Sequence, residues 1–365
     1  MTSVTVKLRS WTISLLLVFT AVMAAQPAAV PNAPTIITFE VPGAGSGAYQ
    51  GTNALGMNSL GVTTGVWTDP NNLTHGFIRA VDGTITKIDV PEAGTGAGQG
   101  TWPQSINTAG TVVGLYFDSK NITHGFVRSA SGAISTFHCT GSSSSPAGGP
   151  ACLNINKAGV VSGYCTNASG AFYGFERAAA GRLIPFNVAG AGTAAKQGTF
   201  GVQINNQEGI AGYYVDAAGV YHGLLRAGDG STIVFDVAGA GTGTGQGTQA
   251  YAINTAGAVA GAYLDGKGVY HGFTRGLLGA VTTFDVPRES GTSALGINTG
   301  GVITGVYQDA TYAFHGFVRA AAGGLTRFDA PGSVSTFPFA INATGQIAGF
   351  SIDASSVWHG FLRTP

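Results

Sequence analysis

Charge is scarce in this sequence. Only 9% of the 365 residues are Asp, Glu, Lys or Arg, and 17 basic residues balance 17 acidic ones. That excludes the basic footprint of a nucleic-acid binder, and no polybasic run offers a patch for an anionic membrane. Cysteine is nearly as rare. Cys139, Cys152 and Cys165 lack the C-x-x-C spacing of a zinc site. They suit a disulfide in an oxidising compartment. Cys152 and Cys165 fall on the two arms of one hairpin, nearly opposite, and are the favoured pair. Cys139–Cys152 is the alternative, and one thiol is left over either way.

A sustained helical period is missing beyond the first 25 residues. The one long apolar run, Trp11 to Ala25, follows Lys7 and Arg9 and is short for a membrane span. It reads as a signal peptide over residues 1–24, with a linker over 25–34. The chain closes on Arg363-Thr364-Pro365, so no hydrophobic anchor is expected there.

Glycine, by contrast, is abundant. There are 59 glycines, but 44% of residues are hydrophobic and 10% aromatic, enough to bury a core, so the glycines mark turns rather than disorder. A chain this long exceeds the usual single core, which directs attention to repeats. One phrase recurs: Ile-Asn, Gly, His-Gly-Phe, Arg, Phe-Asp-Val. Its Asn falls at Asn58, Asn107, Asn156, Asn205, Asn254, Asn298 and Asn342, in steps of 49 and then 44 residues. The His position follows at His75, His124, Tyr173, His222, His271, His315 and His359.

Each repeat holds four short strand signals, A to D, separated by Asn, Asp and Gly turns. Residues 292–298, 302–308, 314–320 and 325–330 show them in one copy. Tight turns between alternating runs make an antiparallel meander. One meander cannot bury both of its faces, whereas neighbours packed around a ring can. The phase of the ends predicts closure. Thr35 to Pro42 is a strand D without a repeat, and His359 to Arg363 is a strand C without a successor. Pairing them removes two exposed edges. The expected fold is therefore all-β, a seven-bladed β-propeller of four-stranded antiparallel blades over residues 35–365, closed by residues 35–42 in the last blade.

The phrase His75-Gly76-Phe77, repeated at His124, His271, His315 and His359, resembles the HAF family of extracellular repeats, named for a His-Ala-Phe tripeptide. Here Gly replaces Ala, and a long Gly-rich insertion is added. The resemblance covers nearly all of residues 35–365. It implies an extracellular location and a propeller-like architecture, and no particular activity.

The repeated His is the obvious candidate for chemistry. An acid follows it at a fixed distance: His75 and Asp89, His222 and Asp236, His271 and Asp285, His315 and Asp329. His138 takes that place after His124. Where His becomes Tyr173, the acid becomes Asn187. If the ends pair, His359 meets Glu40. A His–carboxylate bond across strands C and D would fix the imidazole tautomer and hold the hairpin. One His per repeat spreads these groups around a ring, whereas a metal needs ligands converging on one point. The repeat therefore assigns them a structural role, with no catalytic residue, metal or cofactor expected. The Phe of strand C (Phe77, Phe126, Phe273) and of strand D (Phe39, Phe137, Phe235) are core residues.

Ligand recognition is expected where repeats differ. The D–A connections are long and Gly-rich, and four carry Gln-Gly-Thr at Gln50, Gln99, Gln197 and Gln246. They lack the Lys and following helix of a phosphate loop. The next residue varies freely, as Asn53, Trp102, Ala151, Phe200, Gln249, Ser293 and Phe337. Trp102, Phe200 and Phe337 beside those Gln side chains suit stacking on a sugar, although the same rings could simply fill space between blades. The expected function is a secreted, extracellular or periplasmic, non-enzymatic and monomeric binding or scaffold protein. Its ligand would be a glycan or protein at the face of the Gly-rich loops, without nucleic acid and off the membrane. The alternative is a secreted carbohydrate-active hydrolase or lyase, which needs two carboxylates, or a His/Tyr/Arg set, converging at the channel mouth.

Overall fold

The computed structural model describes residues 33–139 and 149–365. The expected signal peptide and most of the expected linker lie outside the described residues. Among the described residues every regular element is a strand. Strands A, B, C and D of the first unit are Gly51–Met57, Thr63–Thr68, Thr74–Arg79 and Ile85–Ile88, each antiparallel to the one before. The following strands A are Gly100–Ile106, Pro150–Ile155, Gly198–Ile204, Gly247–Ile253, Gly291–Ile297 and Ser333–Ile341. Each opens a meander of the same kind, and the units are numbered 1 to 7 by these strands. The last meander runs Ser333–Ile341, Ile347–Asp353, Trp358–Thr364 and then Thr35–Phe39, which pairs antiparallel from Thr35↔Thr364 to Phe39↔Gly360.

Neighbouring units are joined in three ways. At three junctions along the chain, strand C of one unit meets strand A of the next through a single parallel bridge: Thr74↔Gly100, Phe172↔Gly198 and Tyr221↔Gly247. The glycine of Gln-Gly-Thr makes that approach possible. Gly100 has φ +112°, and a Cβ there would collide with the Thr74 carbonyl. The same bridge, Gly51↔Trp358, joins unit 1 to unit 7.

The second link is aromatic. The strand C Phe is fully buried in six units (Phe77, Phe126, Phe175, Phe273, Phe317, Phe361), with Leu224 in the seventh. Burying each ring stabilises by about 1.5–3 kcal/mol. Most of these rings meet the strand D Phe of the preceding unit edge to face, Phe235 and Phe273 at 5.9 Å, for example. The repeat arginine then lies over that same strand D ring, Arg275 over Phe235 at 5.1 Å and Arg79 over Phe39 at 4.9 Å.

The third link is a ladder of asparagines. Nδ2 of Asn58 donates to the Asn107 carbonyl at 3.0 Å, and the pattern continues unit by unit to Asn298 and the Asn342 carbonyl. Asn342 itself turns to Gln346 instead. The architecture is all-β and propeller-like.

The cysteine pairing differs from expectation. The disulfide joins Cys139 to Cys165, with Cα atoms 6.0 Å apart, and Cys152 is a buried free thiol. The reason is register. Cys165 lies opposite Pro150, whereas Cys152 lies opposite Gly163, two residues along, so the favoured Cys152–Cys165 pair is out of step. The alternative Cys139–Cys152 pair is equally absent. All three cysteines belong to one apolar cluster, and burial pushes the Cys152 thiol up, keeping it protonated.

Candidate functional site

The repeated His sits where the sequence places it, and its surroundings are richer than one acid. Nδ1 bonds Asp89 from His75 at 2.8 Å, Asp236 from His222 at 3.0 Å, Asp285 from His271 at 3.0 Å and Asp329 from His315 at 2.9 Å. His359 bonds Glu40 of the N-terminal strand, and His124 bonds His138. A second acid holds Nε2 from the B–C turn. Asp118 reaches His124 at 3.0 Å, Asp309 reaches His315 at 3.3 Å and Asp353 reaches His359 at 3.2 Å. That acid does two jobs. Oδ1 of Asp309 accepts the Thr311 and Ala313 N–H groups and closes the turn, which aims Oδ2 at the ring.

A strand B aromatic stacks on the imidazole in five units, Trp67 on His75 at 4.2 Å and Tyr214 on His222 at 4.7 Å among them. Burial lowers the basicity of His315, but its hydrogen bonds to Asp329 and Asp309 outweigh that and raise the pKa. Hydrogen bonds from the Thr311 side chain and from the turn, with that from His315, lower Asp309 to about 2. Each such box of an imidazole and its ring-nitrogen partners is spent on its own unit, and among the described residues no group of three or more His, Cys, Asp or Glu could hold a metal ion.

The Gln-Gly-Thr phrase is likewise committed to the scaffold. Gln50 Oε1 accepts the Gly47 N–H, and its Nε2 donates to Pro70 O and Asn72 Oδ1. Gln99 repeats this with Gly96 and Asn121, Gln197 with Ala194 and Ala217, and Gln246 takes the Gly243 N–H. The buried threonines of the phrase, Thr52, Thr101, Thr199 and Thr248, accept the N–H of the residue that opens the D–A loop, as Val41 on Thr52. These contacts put the D–A loops and B–C turns on one face. Phe200 is buried among Tyr164, Phe172 and Tyr213. Phe337 packs between Phe314 and Phe350. Trp102 lies edge-on to Phe117, and its indole N–H is buried without a partner.

The open space lies elsewhere. Two cavities, of about 350 and 330 Å3, are lined by strands A from all seven units and share Met57, Ile297 and Ile341. The outer one opens at the Asn ladder, on the A–B turn side. Its rim carries one variable residue per unit after the Asn, including Ser59, Thr108, Lys157 and Asn206.

The inner chamber is shaped by a β-bulge in each strand A, where two residues face one on strand B. The extra residues are Leu55, Gln104, Leu153, Val202, Tyr251, Leu295 and Phe339, and all seven line the chamber. Sequence reasoning missed this ring and chose the position two residues earlier. The available signal was length. Gly247–Ile253 has 7 residues against 6 in Val259–Leu264, and the surplus residue must leave the ladder.

No protein-family model matches this chain, and no curated protein matches its sequence. Solved structures do match in fold. The BP39L lectin from Burkholderia pseudomallei superposes with a TM-score of 0.57 at 13% identity, over 86% of this chain and 96% of the lectin. A puromycin hydrolase S511A mutant complexed with PGG gives 0.56 at 13% identity, over 84% of this chain but 51% of the hydrolase. At such identities the likeness is one of fold.

Proposed function

We propose that the chain is a secreted extracellular repeat protein of the HAF type, a closed seven-bladed β-propeller that works as a monomeric, non-enzymatic binding module. Closure is supported by four contacts between the chain ends: the Thr35–Phe39 pairing, the Gly51↔Trp358 bridge, Arg79 over Phe39, and His359 on Glu40. A disulfide suits an oxidising compartment.

The central cavity carries the functional reading. Apart from Lys157 and the Tyr251 phenol, it is lined by groups that do not ionise, and no carboxylate is among the described residues that line it. A glycoside hydrolase needs two carboxylates beside the scissile bond, and a lyase needs a converging base and acid such as a His/Tyr/Arg set. Here the repeat acids are engaged by histidines and turns away from that space. The ligand class is an extracellular glycan or protein, and the cavity at the A–B turn side is a better seat for it than the Gly-rich loops, whose Gln side chains are already engaged.

The test is to present the full secreted chain to immobilised extracellular glycans and matrix proteins, with chromogenic glycosides assayed in parallel. Saturable binding without turnover is the expected result. Turnover lost on mutating a single carboxylate would establish the enzyme instead.

A further inference from the structure

The inner chamber is not uniform around its circumference. Apart from the Tyr251 phenol, its amide and hydroxyl side chains come from units 2 to 4: Gln104, Ser105, Asn154 and Gln203. Both of its aromatic rings come from units 5 and 7, Tyr251 and Phe339, and Leu295 stands between them in unit 6. The chamber therefore has a hydrogen-bonding arc facing an apolar, aromatic one.

The aromatic arc is held by ring stacking and one hydrogen bond. Phe339 stacks on Phe350 at 5.6 Å with planes 16° apart, and Phe350 stacks on Phe337 at 5.0 Å and 22°. Phe339 ends this column of three rings. One of its faces is covered by Phe350, and the residue is still 37% exposed, high for an aromatic inside a channel. Tyr251 is fixed by its hydroxyl, which donates to Gln249 at 2.8 Å.

The polar arc is partly spent and partly available. Asn154 bonds Ser105 and the Ile204 N–H, and Gln203 Oε1 accepts the Ile253 N–H at 2.7 Å. Among the described residues nothing holds Gln203 Nε2 or the Gln104 amide. This wall carries no charge and suits a neutral ligand with an apolar face about as wide as a phenyl ring and hydroxyls on the opposite edge.

We propose that the inner chamber is a carbohydrate subsite that takes one neutral pyranose residue of a glycan. Its C–H face rests on Phe339, and its hydroxyls are held by Gln104 and Gln203. The rest of the chain leaves through the Asn ladder past Ser59 and Thr108. This rests on the binding-module reading above and adds the site and the sugar class. A cavity of about 330 Å3 admits one such ring and part of a second. The bulge explains why the side chains can differ here: a residue outside the ladder can change without disturbing the hydrogen bonds of the unit.

The experiment titrates the full chain calorimetrically with methyl glycosides and trisaccharides of glucose, galactose, mannose and xylose, and with glucuronic acid as a charged control. At least one neutral sugar should bind, and glucuronate should bind at least tenfold more weakly. Phe339→Ala and Gln104→Leu should each weaken the neutral sugar by about tenfold, with unchanged circular dichroism. Trp102→Ala, on the Gly-rich-loop side, should leave binding unchanged. Binding that survives both chamber variants but is lost in Trp102→Ala would overturn this site while leaving the binding module intact. If no neutral sugar binds, the subsite fails, and a protein captured on the matrix array would then be what sustains the module.

Discussion

Units 3 and 4 share four strands and a bulge, yet the boxes on their strands B and C differ throughout. Unit 4 has Tyr214 stacked on His222, with Asp216 and Asp236 on the two ring nitrogens. Unit 3 has Cys165, Tyr173, Asn167 and Asn187 in those places. Asn167 still accepts the Ser169 and Ala171 N–H groups as an Asp would, so the turn survives. The charge that would hold an imidazole is gone together with the imidazole. The two roles of the B–C acid are thus separable, and the His box is a removable staple rather than a requirement of the meander. Unit 3 gains the Cys139–Cys165 link in its place, and Tyr173 and Asn187 line a small cleft.

The same units share a buried ion pair across their interface. Where other units present Ile78, Val127, Leu225, Thr274, Val318 or Leu362, unit 3 presents Glu176, which pairs with Arg226 of unit 4 at 2.8 Å with both side chains 10% exposed. Removing one partner strands the other charge, so Glu176→Ala should cost about 3–5 kcal/mol in chemical denaturation. The double change Glu176→Leu with Arg226→Leu should recover most of it. A loss below about 1 kcal/mol in the single variant would mean that water reaches this interface.

A somewhat smaller effect is expected at the disulfide, which spans 26 residues. Cys165→Ser, or reduction of the native chain, should lower stability by about 3–4 kcal/mol by freeing that loop in the unfolded state. Cys152→Ala should not reproduce it. Equal losses in Cys165→Ser and Cys152→Ala would point to core packing rather than the cross-link.

The smallest effect separates the boxed units from unit 3 by pH. The raised pKa of His315 and of His359 means that their boxes contribute fully below the ordinary value of 6.5 and lose that contribution as pH rises through the folded pKa. Asp309, lowered from 3.8 to about 2, contributes above 3.8 and loses its contribution as pH falls through about 2. Thermal stability should therefore be greatest between these limits and decline from pH 6 to 8. In His315→Gln that decline should shrink. A profile flat from pH 6 to 8 in the native chain would contradict the raised basicity.

Much of this was legible in the sequence. The strands expected at 292–298, 302–308, 314–320 and 325–330 appear as Gly291–Ile297, Ile303–Gln308, Phe314–Arg319 and Leu325–Phe328. The pairing of the chain ends and the His–acid contacts follow from the same phase. Apart from the pairing of the chain ends, which the phase of the repeat requires, these are within-hairpin facts. A fixed spacing of 14 residues around a tight turn leaves two side chains little choice but to face each other.

The candidate site was not legible in this way. Trp102, Phe200 and Phe337 were singled out because they vary, but variation does not say which way a side chain points. A single bulge moved the channel-facing position to Gln104, Val202 and Phe339. The cysteine pairing failed for a related reason: a two-residue offset in register is invisible in a spacing but decides which Sγ atoms can meet.

By itself the sequence determined the repeat, its four strands, its phase and the contacts inside each hairpin, because covalent connection over a short turn restricts them. Only the tertiary structure decided where the open space lies, which residues line it, which cysteines join and which charges meet between units. Those depend on how one sheet packs against the next, which no single repeat encodes alone.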